Sequence, residues 1–355
     1  MTLIDRYIVR AVLTFAGLVM AVLLVLAMLF TFMGEQGDVG QGHYTALSAL
    51  GFVLLNLPQQ AWELMPIGVL IGSLLGLGSL ARGSELTVMR SSGVSVARLA
   101  GAAFIGGLVL LAVEVILGQL APPIEQSARD QKAFARFSNV SFGGGGAWVR
   151  DGNMILNVEQ LAGAREFGGM LVFELSPDHR LQAIGHAARA TAAPGSRWVL
   201  SGYTESRFTP DQVVVHSEGE RALSSNVSAR FLSLAMAEPR ELAVQALWTV
   251  IRYYRGNALD PTPYVFALWS RIARTLAIAF APMLAIPFVL GPLRSAGAGS
   301  RTVVGLLLGL TFFFVQRLIE TGTAVFKLNP VVLAWLPTLL LLGVTLILLA
   351  RTRRV

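Results

Sequence analysis

Long apolar runs separated by short polar intervals dominate this chain, and one interval is much longer than the rest. The first run, Ala11 to Met33, follows Asp5, Arg6 and Arg10. At about 1.5 Å per helical residue it crosses the roughly 30 Å of hydrocarbon in a bilayer. It is longer than the apolar core of a signal peptide and is followed by no small-x-small cleavage site, so it predicts a transmembrane span. The second run, Ala46 to Leu80, is over-long and carries Pro58 and Pro66, which predicts a kinked or two-part helix. Span 3 runs from Leu99 to about Ala121, where Pro122 and Pro123 are expected to end it. Spans 4, 5 and 6 follow at roughly Tyr264 to Leu290, Thr302 to Thr321 and Val331 to Ala350.

The long interval between spans 3 and 4 has a different period. Met154 to Val158, Met170 to Leu175, Leu181 to Ile184, Trp198 to Tyr203 and Val213 to His216 are short apolar or alternating runs. Turn signals such as Ser176-Pro177-Asp178 and Ala193-Pro194-Gly195 divide them. Strands at this spacing suggest a sandwich, jelly roll or open barrel. Gly143 to Gly146 lacks the Lys and Ser/Thr of a phosphate loop and reads as a flexible lead into the strands. Glu238 to Tyr254 is helical in pattern again. The expected fold is therefore membrane α-helical, six transmembrane helices with an all-β jellyroll-like domain between helices 3 and 4. Residues 1–121 hold spans 1–3, 122–263 the β domain with helical connections, and 264–355 spans 4–6.

Charge orients this arrangement. The chain is 54% hydrophobic and carries a net charge of +7. Residues 122–263 hold 14 basic and 14 acidic side chains, leaving 14 basic and 7 acidic in the membrane portion, so the whole excess lies there. Arg6, Arg10, Arg82, Arg90, Arg98, Arg294, Arg301, Arg351, Arg353 and Arg354 fall on one side of the spans, against Lys327 in the short loops opposite. By the positive-inside rule both termini and the stretch Arg82 to Ser95 are cytoplasmic and the β domain is outside. Charge placed this way orients a membrane protein, and no nucleic-acid partner is expected. With no cysteine, the chain has neither disulfides nor thiolate metal sites.

Enzyme chemistry has little foothold. Lys132 and Lys327 are the only lysines and neither follows glycine, so there is no Walker A motif. No serine lies in G-x-S-x-G, and His43, His179, His186 and His216 form no metal-binding spacing. No metal is expected. What the spans do carry is ionisable residues, each costing about 2.5 to 3.5 kcal/mol at the bilayer centre. Glu63, Glu114, Arg271, Arg274, Arg317 and Glu320 all count out to the outer half of the membrane. They either line a polar, partly basic cavity opening outward, or snorkel to headgroups and pair with one another. Beyond span 3, Arg129, Lys132 and Arg136 share a face if its helix continues, and could meet phosphate or form a solvated edge. Gly68, Gly72 and Gly76 in span 2, and Gly305 and Gly309 in span 5, recur at spacing four and would let helices approach closely.

These residues also resemble a known family. LLGLGSLARGSELTVMRSSGVS (Leu74 to Ser95), APPIEQSARD (Ala121 to Asp130), WVRDGN (Trp148 to Asn153), LWSRI (Leu268 to Ile272) and GPLRS (Gly291 to Ser295) are similar, in order, to the lipopolysaccharide export permeases LptF and LptG. LIDRYI near the N-terminus and GQG-x-Y at Gly40 to Tyr44 lean toward the LptG branch. The resemblance implies a permease subunit of the inner membrane, not itself an enzyme, that extracts lipopolysaccharide from the outer leaflet. Its implied partners are the sister permease LptF, the ATPase dimer LptB, where ATP and Mg would bind, the regulator LptC, and the bridge LptA, reached through the β-jellyroll.

Arg82 to Ser95 matches the family's coupling helix. Glu85 would pair with a basic residue of the ATPase, with Arg82, Ser84, Met89 and Arg90 around it. Arg129, Lys132, Arg136, Arg271, Arg274 and Arg317 would meet lipid A phosphates, and Arg301 is a structural or coupling position. Where some members carry lysines at the outer end of helix 1, this chain has Thr31, Gly37 and Asp38, so lipid contact cannot rest there. The alternative is a permease or scaffold of another ATP-driven lipid or lipoprotein export complex.

Overall fold

The computed structural model describes residues 2–41, 43–136, 140–141, 147–161, 166–178, 180–193, 197–209, 212–224, 239, 242–257, 259–291, 297–322 and 329–352. Gly143 to Gly146, Arg294, Lys327 and the side chains of Arg136, Arg301 and Glu320 lie outside that description. The helices are α1 (Leu3–Glu35), α2 (Ala46–Arg82), α3 (Glu85–Ser91), α4 (Val96–Arg136), α5 (Val244–Gly256), α6 (Thr262–Leu290), α7 (Ala298–Gly322) and α8 (Pro330–Thr352). Six of them, α1, α2, α4, α6, α7 and α8, are long and apolar enough to cross a membrane.

Helix boundaries depart from the sequence expectation where caps or packing override local signals. α1 begins well before its apolar run because Thr2 and Asp5 form a capping box, the Thr2 amide donating to Asp5 Oδ2 at 2.7 Å. α2 is one continuous helix with Pro58 and Pro66 inside it. α4 does not stop at Pro122 and Pro123 but runs through both to Arg136. Two prolines remove two backbone donors, yet Ile124 to Arg136 is rich in helix formers. Ala121, Glu125 and Ala128 are buried along it, and tertiary packing of this kind outweighs local cost. α5 starts at Val244, later than expected, and buries Leu247, Val250 and Ile251.

The chain divides into two compact units, one of residues 1–37, 49–128 and 262–355, the other of 38–48 and 129–261. In the first, α2 is the central element: 78% of its apolar window is buried, against 22% for α1. Both glycine rows are used on it. A Cβ at Gly72 would lie 2.4 Å from Ala16 Cα and one at Gly76 2.8 Å from Ala11 O, so α1 lies directly on α2 backbone. Met20 presses likewise on Gly68. On another face, Gly305 and Gly309 of α7 approach Ile71 and Ile67 of α2 within 3.0 and 3.2 Å of a built Cβ. Small residues supply contact area where no hydrophobic drive separates helix from lipid.

The second unit is built on an antiparallel sheet of β1 (Val140–Ser141), β2 (Ala147–Asp151), β3 (Met154–Leu161), β4 (Glu166–Leu175), β5 (Leu181–Ala193), β6 (Arg197–Phe208) and β7 (Val213–Ser224). Its order is β1-β3-β4-β5-β6-β7, with β2 also pairing β3. All five expected strands are present and longer than the apolar runs, because Ala- and Gly-rich stretches such as Gly185 to Ala193 continue them. β1 and β2 were not foreseen.

One row organises the sheet. Register places Gly169, Ala188, Gly202 and Gly219 opposite one another on four strands. Gly169 and Gly202 adopt φ of 63° and 64°, open to glycine and costly to other residues. Across the row the buried positions skip from Trp198 and Leu200 to Tyr203 and Glu205, a spacing of three in place of two. The pleat therefore reverses, and one face stays buried on both sides of the row.

Candidate functional site

The stretch Arg82 to Ser95 forms a short helix on an apolar root. α2 ends at Arg82, with the amides of Gly83 and Ser84 reaching back to Ser79 and Ala81 carbonyls at 3.0 Å. Ser84 turns the chain at φ 60°, the one left-handed non-glycine among the described residues. That conformation costs an L-residue about 1–2 kcal/mol. α3 then starts on Glu85 and anchors through Leu86, which is fully buried, and Met89, which packs on the same core. Thr87, Val88 and Arg90 face outward, Val88 with 60% exposure. Ser91 and Ser92 hydroxyls both donate to the Val88 carbonyl, at 2.9 and 2.8 Å. Gly93, with φ 90°, and a Val94 amide bond to Met89 O at 3.0 Å close the helix. Behind α3 lies a cavity of about 300 Å³ between Leu86, Thr87, Arg90 and Ser91 and the end of α6 at Val289 and Leu290. The arrangement is an exposed apolar knob, ringed by polar groups, with one carboxylate at its start.

The continuation of α4 meets the condition for a shared face of Arg129, Lys132 and Arg136. Arg129 is exposed. Lys132 Nζ lies 3.0 Å from Asp38 Oδ2 and 5.9 Å from the ring centroid of Tyr44. The 38–44 turn that supplies both is closed by the Gly40 amide on Tyr44 O at 2.9 Å, with Tyr44 buried. Asp38 is thus a counter-ion of Lys132.

Arg271 and Arg274 occupy a buried knot in the membrane-spanning unit. Their guanidinium carbons lie 4.4 and 3.7 Å from the ring centroid of Trp62, so one indole is shared by two cations. Arg274 Nη2 donates to the Trp62 carbonyl at 2.6 Å and lies 3.5 Å from Glu114 Oε1. Glu114 is fully buried and Arg271 is 7% exposed. Gly118, one turn along α4 from Glu114, makes room for the indole: a Cβ there would lie 3.0 Å from Trp62 Nε1. Both Glu114 oxygens, Trp62 Nε1 and Arg274 Nε lack a hydrogen-bond partner among the described residues. On α2, Gln59 donates to Glu63 at 3.1 Å. Arg317, on α7, is exposed. Sequence reasoning missed Trp62. Its signal was an indole next to Glu63, inside a span, with polar Gln59 and Gln60 beside it.

The β unit has its own charged cluster, on the buried face beyond the glycine row. Glu205 Oε1 accepts from Arg207 at 2.7 and 3.0 Å, and Glu205 Oε2 from Arg221 and from Tyr203 Oη, the latter at 3.2 Å. Glu174 bridges the two arginines at 3.2 and 3.6 Å. Burial pushes Glu205 up, but its bonds from Arg207 and Arg221 outweigh that and hold it below the usual carboxylate range. Burial raises Tyr203 to about 12. No group of three acidic or histidine residues able to hold a metal occurs among the described residues.

The family model described as lipopolysaccharide export system permease LptF/LptG matches residues 6–351. The chain is 30% identical to lipopolysaccharide export system permease protein LptG of Escherichia coli (strain K12), over 98% of each chain. It is 26% identical to LptG of Haemophilus influenzae, over 99% of each. To LptF of Escherichia coli (strain K12) it is 22% identical, over 98% of this chain and 94% of that one. Spans and inserted sheet follow one another along a match of this length, and the chain belongs to the LptF/LptG family of lipopolysaccharide export system permeases.

Proposed function

We propose that the protein is the LptG-type permease of an ATP-driven lipopolysaccharide exporter in the inner membrane, with both termini cytoplasmic and the β unit in the periplasm. The observation that carries this reading is α3: a seven-residue helix between two spans, rooted by Leu86, starting on a half-buried Glu85 and presenting Thr87, Val88 and Arg90 outward. With no nucleotide-binding motif in the chain, the energy comes from a partner, and a rooted knob with one carboxylate suits a groove holding a cation. That partner is the LptB dimer, and the sister permease is LptF. LptC regulates the pair, and lipid passes along the sheet's buried face to LptA. Arg129 and Arg317, both exposed, meet lipid phosphate with Arg136 and Lys132 alongside. Arg271 and Arg274 add positive potential from within the bundle. The glycine rows keep the helices close, and Arg301 serves as a structural or coupling position.

Glu85→Arg tests the reading. The permease pair should lose its ATPase on co-purification while α-helical content and the β unit stay intact; retention of the ATPase would sink it. Photo-crosslinkers at Arg317 and on buried-face strand positions should capture lipopolysaccharide. Capture of phospholipid alone at both would remove the substrate assignment.

A further inference from the structure

The short helix α5 has two distinct faces. Leu247, Val250 and Ile251 are buried on one. At 3.6 residues per turn Gln245, Trp248, Thr249, Arg252 and Arg255 fall within about 120° on the other, and all five are exposed. Trp248 has 51% exposure. Arg252 and Arg255 follow it by four and seven residues, so one indole and two guanidiniums share a stripe. No Asp or Glu occurs within the helix, and among the described residues neither guanidinium is paired with a carboxylate.

The end of α5 is tied by the chain to a membrane span. The Asn257 amide and its Nδ2 both donate to the Tyr253 carbonyl, at 3.1 and 3.0 Å, and the Leu259 amide donates to the Tyr254 carbonyl at 2.8 Å, which closes a tight turn. Only Asp260 and Pro261 separate Leu259 from Thr262, the first residue of α6. At about 3.6 Å per residue this leash reaches at most about 11 Å. α6 has 29 residues, or about 43 Å of helix, which matches the roughly 40–45 Å of a bilayer with its headgroup layers. Thr262 therefore stands at headgroup level, and the turn that closes α5 stays near it.

We propose that the exposed face of α5 is a membrane-surface site, in which Trp248 lies among headgroups and Arg252 and Arg255 bind the phosphates of anionic phospholipid. Solvation alone would account for the two arginines but would leave an indole half in water, at a hydrophobic cost that the headgroup layer removes. An indole, apolar in body with one N–H donor, suits that layer well. A guanidinium grips phosphate through two parallel hydrogen bonds. Each basic group at an anionic surface shifts the binding equilibrium about fivefold. A protein partner would have to bring an acidic groove to the mouth of a span, where the leash already holds the stripe near phosphate.

The chain has no cysteine, so Thr249→Cys in the full-length protein gives a single attachment point on this face. An environment-sensitive fluorophore is placed there, in nanodiscs of phosphatidylcholine and phosphatidylglycerol free of lipopolysaccharide. A phospholipid with a nitroxide on its headgroup should quench the emission strongly, and aqueous iodide weakly. Arg252→Gln with Arg255→Gln changes two exposed side chains and should cut the lipid quenching by about half or more, as should phosphatidylcholine alone or about 1 M salt. Strong iodide quenching without lipid quenching would mean a solvated face and overturns the site. Protection from both quenchers assigns the face to a protein neighbour and overturns it as well. Lipid quenching unchanged in the double variant would mean that the leash alone keeps α5 at the surface, and quenching that arises only on adding lipopolysaccharide gives the face to that lipid; either result also overturns the proposal.

Discussion

Two clusters in this protein are assembled from nearly the same parts and bonded very differently. In the membrane-spanning unit Glu114 meets Arg274 and Arg271 over the ring of Trp62. In the β unit Glu205 meets Arg207 and Arg221 beside Tyr203. Each joins a buried carboxyl to two guanidiniums and an aromatic ring, yet Glu205 accepts from three side chains whereas Glu114 has an ion contact at 3.5 Å. Secondary structure accounts for the difference. Residues two apart on a strand share a face, and cross-strand neighbours stand about 5 Å away, so Tyr203, Glu205 and Arg207 converge from one strand while Glu174 and Arg221 reach in from others. Helices pack at about 8–10 Å and offer one side chain per turn to a given point. Three of them can bring charges together only at the tips of long side chains, and the flat face of Trp62 fills the space between. The sheet carboxyl of Glu205 is held by three donors; the helix carboxyl of Glu114 has its ion contact with Arg274.

That comparison breaks most visibly at Glu114. Glu114→Ala removes the buried carboxyl paired with Arg274, and removing one member of a buried pair costs about 3–5 kcal/mol. The purified permease should lose thermal stability accordingly, with lower steady-state levels in membranes. A melting temperature matching the parent's would show that Arg274 is held without its carboxyl, and the contrast with the sheet would disappear.

Glu205→Gln is expected to cost less, about 1–3 kcal/mol, because the amide keeps the shape and Glu174 still faces both arginines. Its sharper signature is in pH. Glu205 titrates below its ordinary value of 4.5 in the folded protein, so its stabilisation is complete above that value and is lost as pH falls through the lower, folded one. Amide exchange of β6 should accelerate below pH 4.5 in the parent and change less in Glu205→Gln. The same acid dependence in both would assign it to other carboxylates.

How much of this was legible beforehand follows from range. The six spans and the five long strands are written in local periodicity, and all appear, as does a short polar interval at Arg82 to Ser95 between two spans. The arginines at 271 and 274 stood out because charge inside an apolar run is conspicuous. Their partner Trp62 did not, since an indole within a span is apolar by composition and its role arises only where α2, α4 and α6 meet. The prolines at 122 and 123 misled for a related reason: they are strong local stops, overridden here by packing at Ala121, Glu125 and Ala128. Glycines at 169, 202 and 219 carry no local signal that links them, and only the register shows that they stand in one row.

The smallest effect is expected where the sheet cluster is most redundant. The Arg207 side chain is 43% exposed, and both carboxylates it touches are also held by Arg221. Arg207→Ala therefore removes a partly solvated contact and leaves Glu205 bonded to Arg221 and Tyr203, for a loss of about 0.5–1 kcal/mol. The same truncation at Arg274 removes the nearest cation to a fully buried carboxyl and should cost several times more. Measured side by side in the full-length chain by thermal unfolding, the two arginines sharpen the distinction between a carboxyl held by three donors and one in ion contact with Arg274. Equal losses would mean that burial alone, and not the number of remaining partners, sets the cost of removing a guanidinium.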